Sequence, residues 1–241
     1  MFNDEHRTRG PSLSAAYLGR VEFEDAWALQ HKLFRARTYG EGGDSLLLLE
    51  HPPVYTLGRR TKASDLVWDE AARRARSISV CEVDRGGRAT YHGPGQLVGY
   101  PIMALGERYD VIGYLRRLEE VLILTAADLG VGASRDNHTG VWVGPNKLAA
   151  LGVKITRGIT MHGFALNVTT DLTMFEGIVP CGIKDRWVTS IEAETGTTQS
   201  VGDVAAIVAG HTSQVFGRPL KWVDPDRMGV GHPPSVVASS A

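Results

Sequence analysis

DRGGRATYHGPGQLVGYPI, residues 84–102, packs more of the chain's structural information into one stretch than any other. Two runs of strand-forming residues, 88–92 and 96–103, are separated only by Gly93, Pro94 and Gly95. A helical crossover between parallel strands needs a dozen or more residues, so a connection this short favours an antiparallel hairpin. Gly144 to Asn146 makes a similar turn between runs 139–143 and 147–155. Further strands are expected at 17–21, 45–50, 54–57, 78–83 and 160–168.

Three segments carry helical periodicity. Phe23, Ala26, Trp27, Gln30, Leu33 and Phe34 recur at steps of three and four. A longer helix is expected from an Asp110 cap to Leu129, with Gly130 as its stop. Ser200 and Asp203 form a capping-box variant ahead of Val204, Ile207, Val208 and His211. The predicted class is α+β, with helices packed on a largely antiparallel or mixed sheet.

The chain has 241 residues, 43% of them hydrophobic, and a formal net charge of -1. That balance excludes a non-specific nucleic-acid binder driven by a global basic field. The simplest organisation is one domain over 14–223, between tails 1–13 and 224–241 whose Pro, Gly, Ser and charge content suits unpacked ends. The opening residues lead into no apolar export segment, and no apolar run approaches the roughly 20 residues of a membrane-spanning helix. Two cysteines are too few for a disulfide framework, so a cytoplasmic setting is expected.

Several residues are candidates for chemistry. Gly86 and Gly87 permit close backbone approach between Arg85 and Arg88, which would cradle an anionic or carbonyl-bearing ligand; an ordinary turn with surface arginines has the same composition. His92 and Gln96 flank a second rigid turn. Cys181, between Pro180 and Gly182, sits on a constrained turn, where a thiol either faces a cleft or is a buried loop residue, whereas Cys81 alternates like a core strand residue. A nucleophilic thiol, with an ordinary pKa of about 8.5, needs a neighbouring cation or base. Lys147 and Lys154 are the obvious cations in the middle of the chain, and in an unbroken strand residues seven apart face opposite ways. Lys147, beside the small apolar LAALG, suits a proton carrier as well as a turn-edge surface lysine, while Lys154 reads as a solvated residue. The eight histidines show no HxxxH spacing, and no CxxC, GxSxG, GxGxxG or P-loop pattern occurs, so metal, serine-hydrolase and nucleotide readings lack support.

Five motifs then stand in order: EHPPVYTLGRR at 50–60, RGG-x-x-T-Y-H-G-P-G-Q at 85–96, K-x-A-A-L-G at 147–152, HGFALN at 162–167 and PCGI at 180–183. Together they resemble the lipoyl(octanoyl) transferase family over about 17–191. The resemblance implies a fold like the catalytic domains of biotin protein ligases and lipoate ligases. It also implies a dyad in which Cys181 carries the acyl thioester and Lys147 carries the proton. The substrate segments it implies comprise Arg85, Gly86, Gly87 and Arg88 with Ala89, Thr90, Tyr91 and His92; Ala150, Leu151 and Gly152; and Gly163, Phe164 and Ala165. The donor implied is octanoyl-acyl carrier protein, and the acceptors are lipoyl domains of 2-oxoacid dehydrogenases and the glycine cleavage H protein, with no cofactor. Tyr55, Leu57, Tyr91 and Leu151 are expected to line the acyl tunnel. Arg59, Arg60, Lys62, Arg85, Arg88, Lys154 and Arg157 are expected to dock acidic protein substrates. The rival readings are an ATP-dependent lipoate or biotin ligase, which has no use for PCGI, and a non-catalytic acyl-binding module, which would tolerate loss of Cys181 and Lys147.

Overall fold

Leu46, Leu47, Leu48 and Leu49 are all fully buried, and a strand that is apolar on both faces belongs in the middle of a layered structure. The computed structural model describes residues 11–179 and 187–228 and places this run in β2 (Asp44–Glu50). Leu46 and Leu48 pack towards α3 (Val111–Asp128) and α5 (Val201–Phe216). Leu47 and Leu49 pack towards α1 (Phe23–Thr38). The predicted helices are these three; the short α2 (Glu70–Arg74) and α4 (Ile191–Thr195) were not expected. Ser200 caps α5 by accepting from the Asp203 N–H, as the capping-box pattern requires.

The large sheet has seven strands. β10 (Leu220–Trp222) is followed across it by β1 (Leu13–Arg20), β2, β6 (Gln96–Ile102), β9 (Ile159–Asn167), β8 (Asn146–Thr156) and β7 (Val141–Val143). β1 lies parallel to β2 and β10, and the other pairings are antiparallel. The predicted mixed α+β class therefore describes the fold, although β1, α1 and β2 form a parallel crossover that the turn argument did not anticipate. A small sheet, ordered β4 (Ser79–Glu82), β3 (Val54–Leu57), β5 (Ala89–His92), packs beside α1 through Phe23, Val54 and Val83.

The Gly93–Gly95 turn corrects one expectation. β5 pairs with β3, and β6 pairs with β2 and β9, so this turn is a corner that carries the chain from the small sheet to the large one. Gly95 has φ +79, its N–H donates to Glu50 Oε2 at 2.7 Å, and a Cβ there would come within 2.6 Å of Thr169 Oγ1. The Gly144 turn is a true hairpin between β7 and β8. Order also extends past the expected tail boundaries: Leu13 is fully buried in β1, and α6 (Pro225–Met228) buries Met228. Among the described residues no helix is long and apolar enough to cross a membrane.

Candidate active site

The sheet floor is cut down in one place. β8 and β9 set Gly152 opposite Gly163 and Ala150 opposite Ala165, leaving no large side chain at these four positions. The approach is closest at Gly163, where an added Cβ would lie 2.1 Å from the Gly99 carbonyl oxygen of β6. Above this floor lies a cavity of about 590 Å³. Leu151 and Phe164 also border it, and Gly87, Arg88, Ala89, Thr90 and His92 reach it from β5 and the preceding loop. Phe23, Tyr100 and Phe175 contribute aromatic walls, and Arg60 and Lys62 contribute cations.

Most of the expected substrate segments therefore meet here, with two exceptions. Gly86 lines a second pocket of about 310 Å³, outside the first. Tyr91 is buried away from the cavity, with its ring edge-on to Phe175 at 5.3 Å and to Tyr55 at 5.9 Å. Tyr55 donates to the Met174 carbonyl at 2.6 Å, and neither it nor Leu57 reaches the cavity. Of the four residues expected to line a tunnel, Leu151 alone does so.

Lys147 lines the cavity with 7% of its surface exposed. Its Nζ lies 4.6 Å from the centre of the Trp142 ring, over the electron-rich face. Its backbone N–H donates to Trp187 O, and its carbonyl accepts from the Thr189 N–H, both at 2.9 Å. Lys154 lies outside the cavity, as expected, though it is not a freely solvated residue: its Nζ contacts Asp84 Oδ2 at 2.5 Å. The reason given for separating the two lysines needs amendment. The β7–β8 register shifts between Val141 and Trp142, so side chains near Lys147 do not follow the simple alternation of an unbroken strand. Cys181 lies outside the described residues. Cys81 is half-buried on β4, at the edge of the small sheet, and burial pushes its thiol pKa up, with Glu24 and Glu82 adding to the effect.

Arg85 is not the surface cation expected of it. It is 7% exposed, and its guanidinium donates to the carbonyls of Gly86, Arg88 and Thr56 and to Thr56 Oγ1, at 2.7–3.0 Å. It holds the Gly86–Gly87 turn from inside. Arg88 is engaged as well, its Nε donating to Asp65 Oδ2 at 2.9 Å. That hydrogen bond holds the Asp65 carboxyl below the usual carboxylate range, against the opposing effect of burial. The Asp65 carbonyl also accepts from the Val179 N–H at 2.9 Å. Asp65 thus ties a cavity residue to the segment that leads towards PCGI.

The imidazoles of His51, His92 and His162 are held neutral or paired. Gln96 Nε2 donates to Tyr91 O and Asn167 Oδ1, which leaves its Oε1 to accept from His92 Nδ1 at 2.8 Å. Asn167 Nδ2 continues the chain to Thr189 O at 2.9 Å. His92 Nε2 faces Thr56 Oγ1 at 3.4 Å, and burial, His51 and Arg85 press the His92 pKa well below its ordinary value. His51 Nδ1 donates to the Val21 carbonyl at 2.7 Å, so Nε2 accepts from the Tyr100 hydroxyl at 2.8 Å; burial lowers its pKa to about 4. His162 Nε2 donates to Asp84 Oδ1 at 2.7 Å. Burial lowers the His162 pKa against the pull of Asp84, and the Asp84 carboxyl is held far below the usual range chiefly by His162 and then by Lys154. Sequence reasoning missed Asp65, Asp84 and Asn167, whose partners lie far away along the chain.

A family model described as the lipoyl protein ligase A/B catalytic domain matches residues 22–213. An octanoyltransferase of Mycobacterium leprae (strain Br4923) is 48% identical over 213 residues, covering 86% of this chain and 88% of that one. An octanoyltransferase of Mycobacterium tuberculosis (strain ATCC 25177 / H37Ra) is 50% identical over 207 residues, covering 84% and 86%. Among solved structures, a lipoate-protein ligase A bound with ATP shares the fold with a TM-score of 0.75 at 18% identity, over 90% of this chain and 92% of that one. A bi-partite lipoate protein ligase from Thermoplasma acidophilum gives 0.70 at 16%, over 90% of each. On the extent of the family match and identities near one half, the chain belongs to the lipoyl protein ligase A/B catalytic-domain family and, within it, to the octanoyltransferases.

Proposed function

We infer that this chain moves an octanoyl group from octanoyl-acyl carrier protein to a lysine of a lipoyl domain, the first step of endogenous protein lipoylation, through a thioester on Cys181. The observation that carries the reading is the position of Lys147, buried in the wall of a cavity floored by Ala150, Gly152, Gly163 and Ala165. Its two backbone groups are bound by Trp187 and Thr189, a few residues beyond Cys181 in the chain. This supports Cys181 and Lys147 acting as a pair.

Lys147, as the free amine, takes the proton from the Cys181 thiol, and the thiolate attacks the thioester carbonyl of the carrier-bound acyl group. The carrier thiolate leaves and takes the proton back from Lys147. The ε-amine of the acceptor lysine then attacks the Cys181 thioester, gives a proton to Lys147, and leaves as the amide while the Cys181 thiolate departs. His92 is less suited to this second proton, because its Nδ1–H is committed to Gln96 and its Nε2 faces Thr56. Exchange between thioesters is nearly neutral and amide formation from a thioester is downhill, so the sequence needs neither ATP nor a metal. The acceptors are the lipoyl domains of 2-oxoacid dehydrogenases and the glycine cleavage H protein, met in the cytoplasm.

The test is transfer to a purified lipoyl domain. With octanoyl-acyl carrier protein and no ATP, the domain should gain one octanoyl amide on its acceptor lysine, seen by intact-mass spectrometry. Modification only from free octanoate with ATP would identify a ligase instead.

A further inference from the structure

Trp142 and Lys147 stand directly opposite one another across the β7–β8 pair, and residues so placed on neighbouring antiparallel strands share a face. Lys147 thereby reaches its place over the indole, with Nζ 4.6 Å from the ring centre. An ammonium within about 6 Å of an aromatic centre is attracted by the negative face of the ring, most strongly when the ring is Trp. That attraction grows where water is excluded, and here both partners are buried. A neutral amine gains far less. The indole face therefore distinguishes the two protonation states between which Lys147 has to move.

The ring is fixed from behind. Trp142 exchanges two backbone hydrogen bonds with Ser134, at 2.8 and 2.9 Å, and its Nε1–H donates to the His138 carbonyl at 3.1 Å. His138 belongs to a loop that a carboxylate anchors in its turn. Glu119, buried on α3, accepts the Gly140 N–H on Oε1 at 3.1 Å and Arg116 Nη1 on Oε2 at 2.7 Å. Gly140 has φ +139, and a Cβ there would lie 2.9 Å from the Ala149 carbonyl oxygen and 3.3 Å from both Lys147 Cε and Trp142 Nε1. The loop is thus held close against both side chains by a charge on a separate helix.

We propose that Trp142 is a positioning residue for the proton transfer, its indole face receiving the Lys147 ammonium that forms when the Cys181 proton is taken. This rests on the octanoyl-transfer reading, in which Lys147 is the proton carrier. In the step concerned the Cys181 S–H bond breaks, its electron pair stays on sulfur, and the proton forms a new N–H bond on Lys147 Nζ. The products are a thiolate and an ammonium, and the ring favours the ammonium over the amine it came from. Trp142 therefore shifts the equilibrium towards the nucleophile while acting only through Lys147.

The experiment is a double-mutant cycle on the wild type, Trp142→Leu, Lys147→Ala and the double variant, with a melting curve for each protein. Two rates are measured. One is single-turnover acylation by octanoyl-acyl carrier protein; the other is alkylation of Cys181 by iodoacetamide, which reacts with the thiolate and carries the cycle even where acylation is too slow to follow. Trp142→Leu should lower both rates about tenfold, within the range for a desolvated cation over an aromatic face, with the half-saturating donor concentration nearly unchanged. In the Lys147→Ala background the same substitution should cost nothing further, because the ammonium it serves is gone. Trp142→Phe keeps an aromatic face and should lose only about threefold, and it takes the place of Trp142→Leu in the cycle if that variant does not fold. Equal losses in the two backgrounds overturn the proposal, since a Trp that only supports the wall acts whether or not the lysine is there. An unchanged rate in folded Trp142→Leu overturns it as well. If Lys147→Ala is acylated and alkylated as fast as the wild type, the proton-carrier reading itself is refuted and the proposal falls with it.

Discussion

Lys147 and Lys154 are chemically the same side chain on one strand, and their surroundings divide them. Lys147 faces the cavity over Trp142, and Lys154 is committed to Asp84. Removing a positioned proton carrier typically slows a reaction 10²–10⁴-fold, so Lys147→Ala should slow formation of the acyl-enzyme by roughly that factor and Lys154→Ala by only a few-fold with an octanoyl donor. Single-turnover acylation measures this, and equal losses would contradict the assignment. Asp65 provides a second case. Its carboxylate is fully buried and paired with Arg88, and breaking a buried pair by removing one partner costs about 3 kcal/mol or more. Asp65→Ala should lower the denaturant midpoint accordingly; an unchanged midpoint would mean the clamp is ornamental. The placing of Lys147 in a cavity wall could be anticipated from its small, apolar neighbours. The place of Asp65 could not, because its partner is 23 residues away, and Arg85 was misread because the Thr56 that buries its charge is 29 residues away. Burial and long-range pairing leave no local trace.

The pair β8 and β9 builds the floor, and its small residues are there to be missing. Gly163→Ala would drive a methyl group against the Gly99 carbonyl of β6, a backbone atom that cannot swing aside. Overpacking of this kind costs about 1–3 kcal/mol, or roughly 2–12 °C of melting temperature for a chain of this size. A melting curve that does not move would show that the β6–β9 contact is looser than described. Long, periodic elements were readable: α1, α3, α5, β2 and the β7–β8 hairpin follow directly from apolar spacing and turn residues. The Gly93–Gly95 turn looked the same locally but is a corner between sheets, because strand partners are chosen by packing across the molecule rather than by the length of the turn. β10 and α6 were invisible for a different reason, being only three and four residues long, too short to show a period.

The whole molecule buries neutral imidazole where the layers meet, and that ties its stability to pH. The folded pKa of His51, about 4, lies below its ordinary value of about 6.5, so between those values the unfolded chain binds a proton that the folded one refuses. Stability from this group is complete above about pH 6.5 and falls as pH drops towards 4, by about 3 kcal/mol in all. His92, pressed the same way, adds to the loss. Urea unfolding across pH 7.5 to 4.5 should show this decline, and His51→Gln should flatten it; a parallel profile in the variant would contradict the linkage. Docking also belongs to this scale. With Arg85 buried and Arg88 and Lys154 paired, the exposed cations lining the cavity among the described residues are Arg60 and Lys62. Reversing Arg60 and Lys62 should raise KM for the acidic carrier protein at low salt and leave kcat nearly intact, whereas an unchanged KM would place docking elsewhere. The central claim is that the acyl group passes through Cys181 without prior activation. It is tested most directly by mixing the protein with octanoyl-acyl carrier protein, without ATP or acceptor, and recording its intact mass. The account predicts a single octanoyl adduct that hydroxylamine removes and that Cys181→Ser never forms. A wild-type protein that stays unmodified, or a Cys181→Ser variant that is acylated equally well, would contradict it.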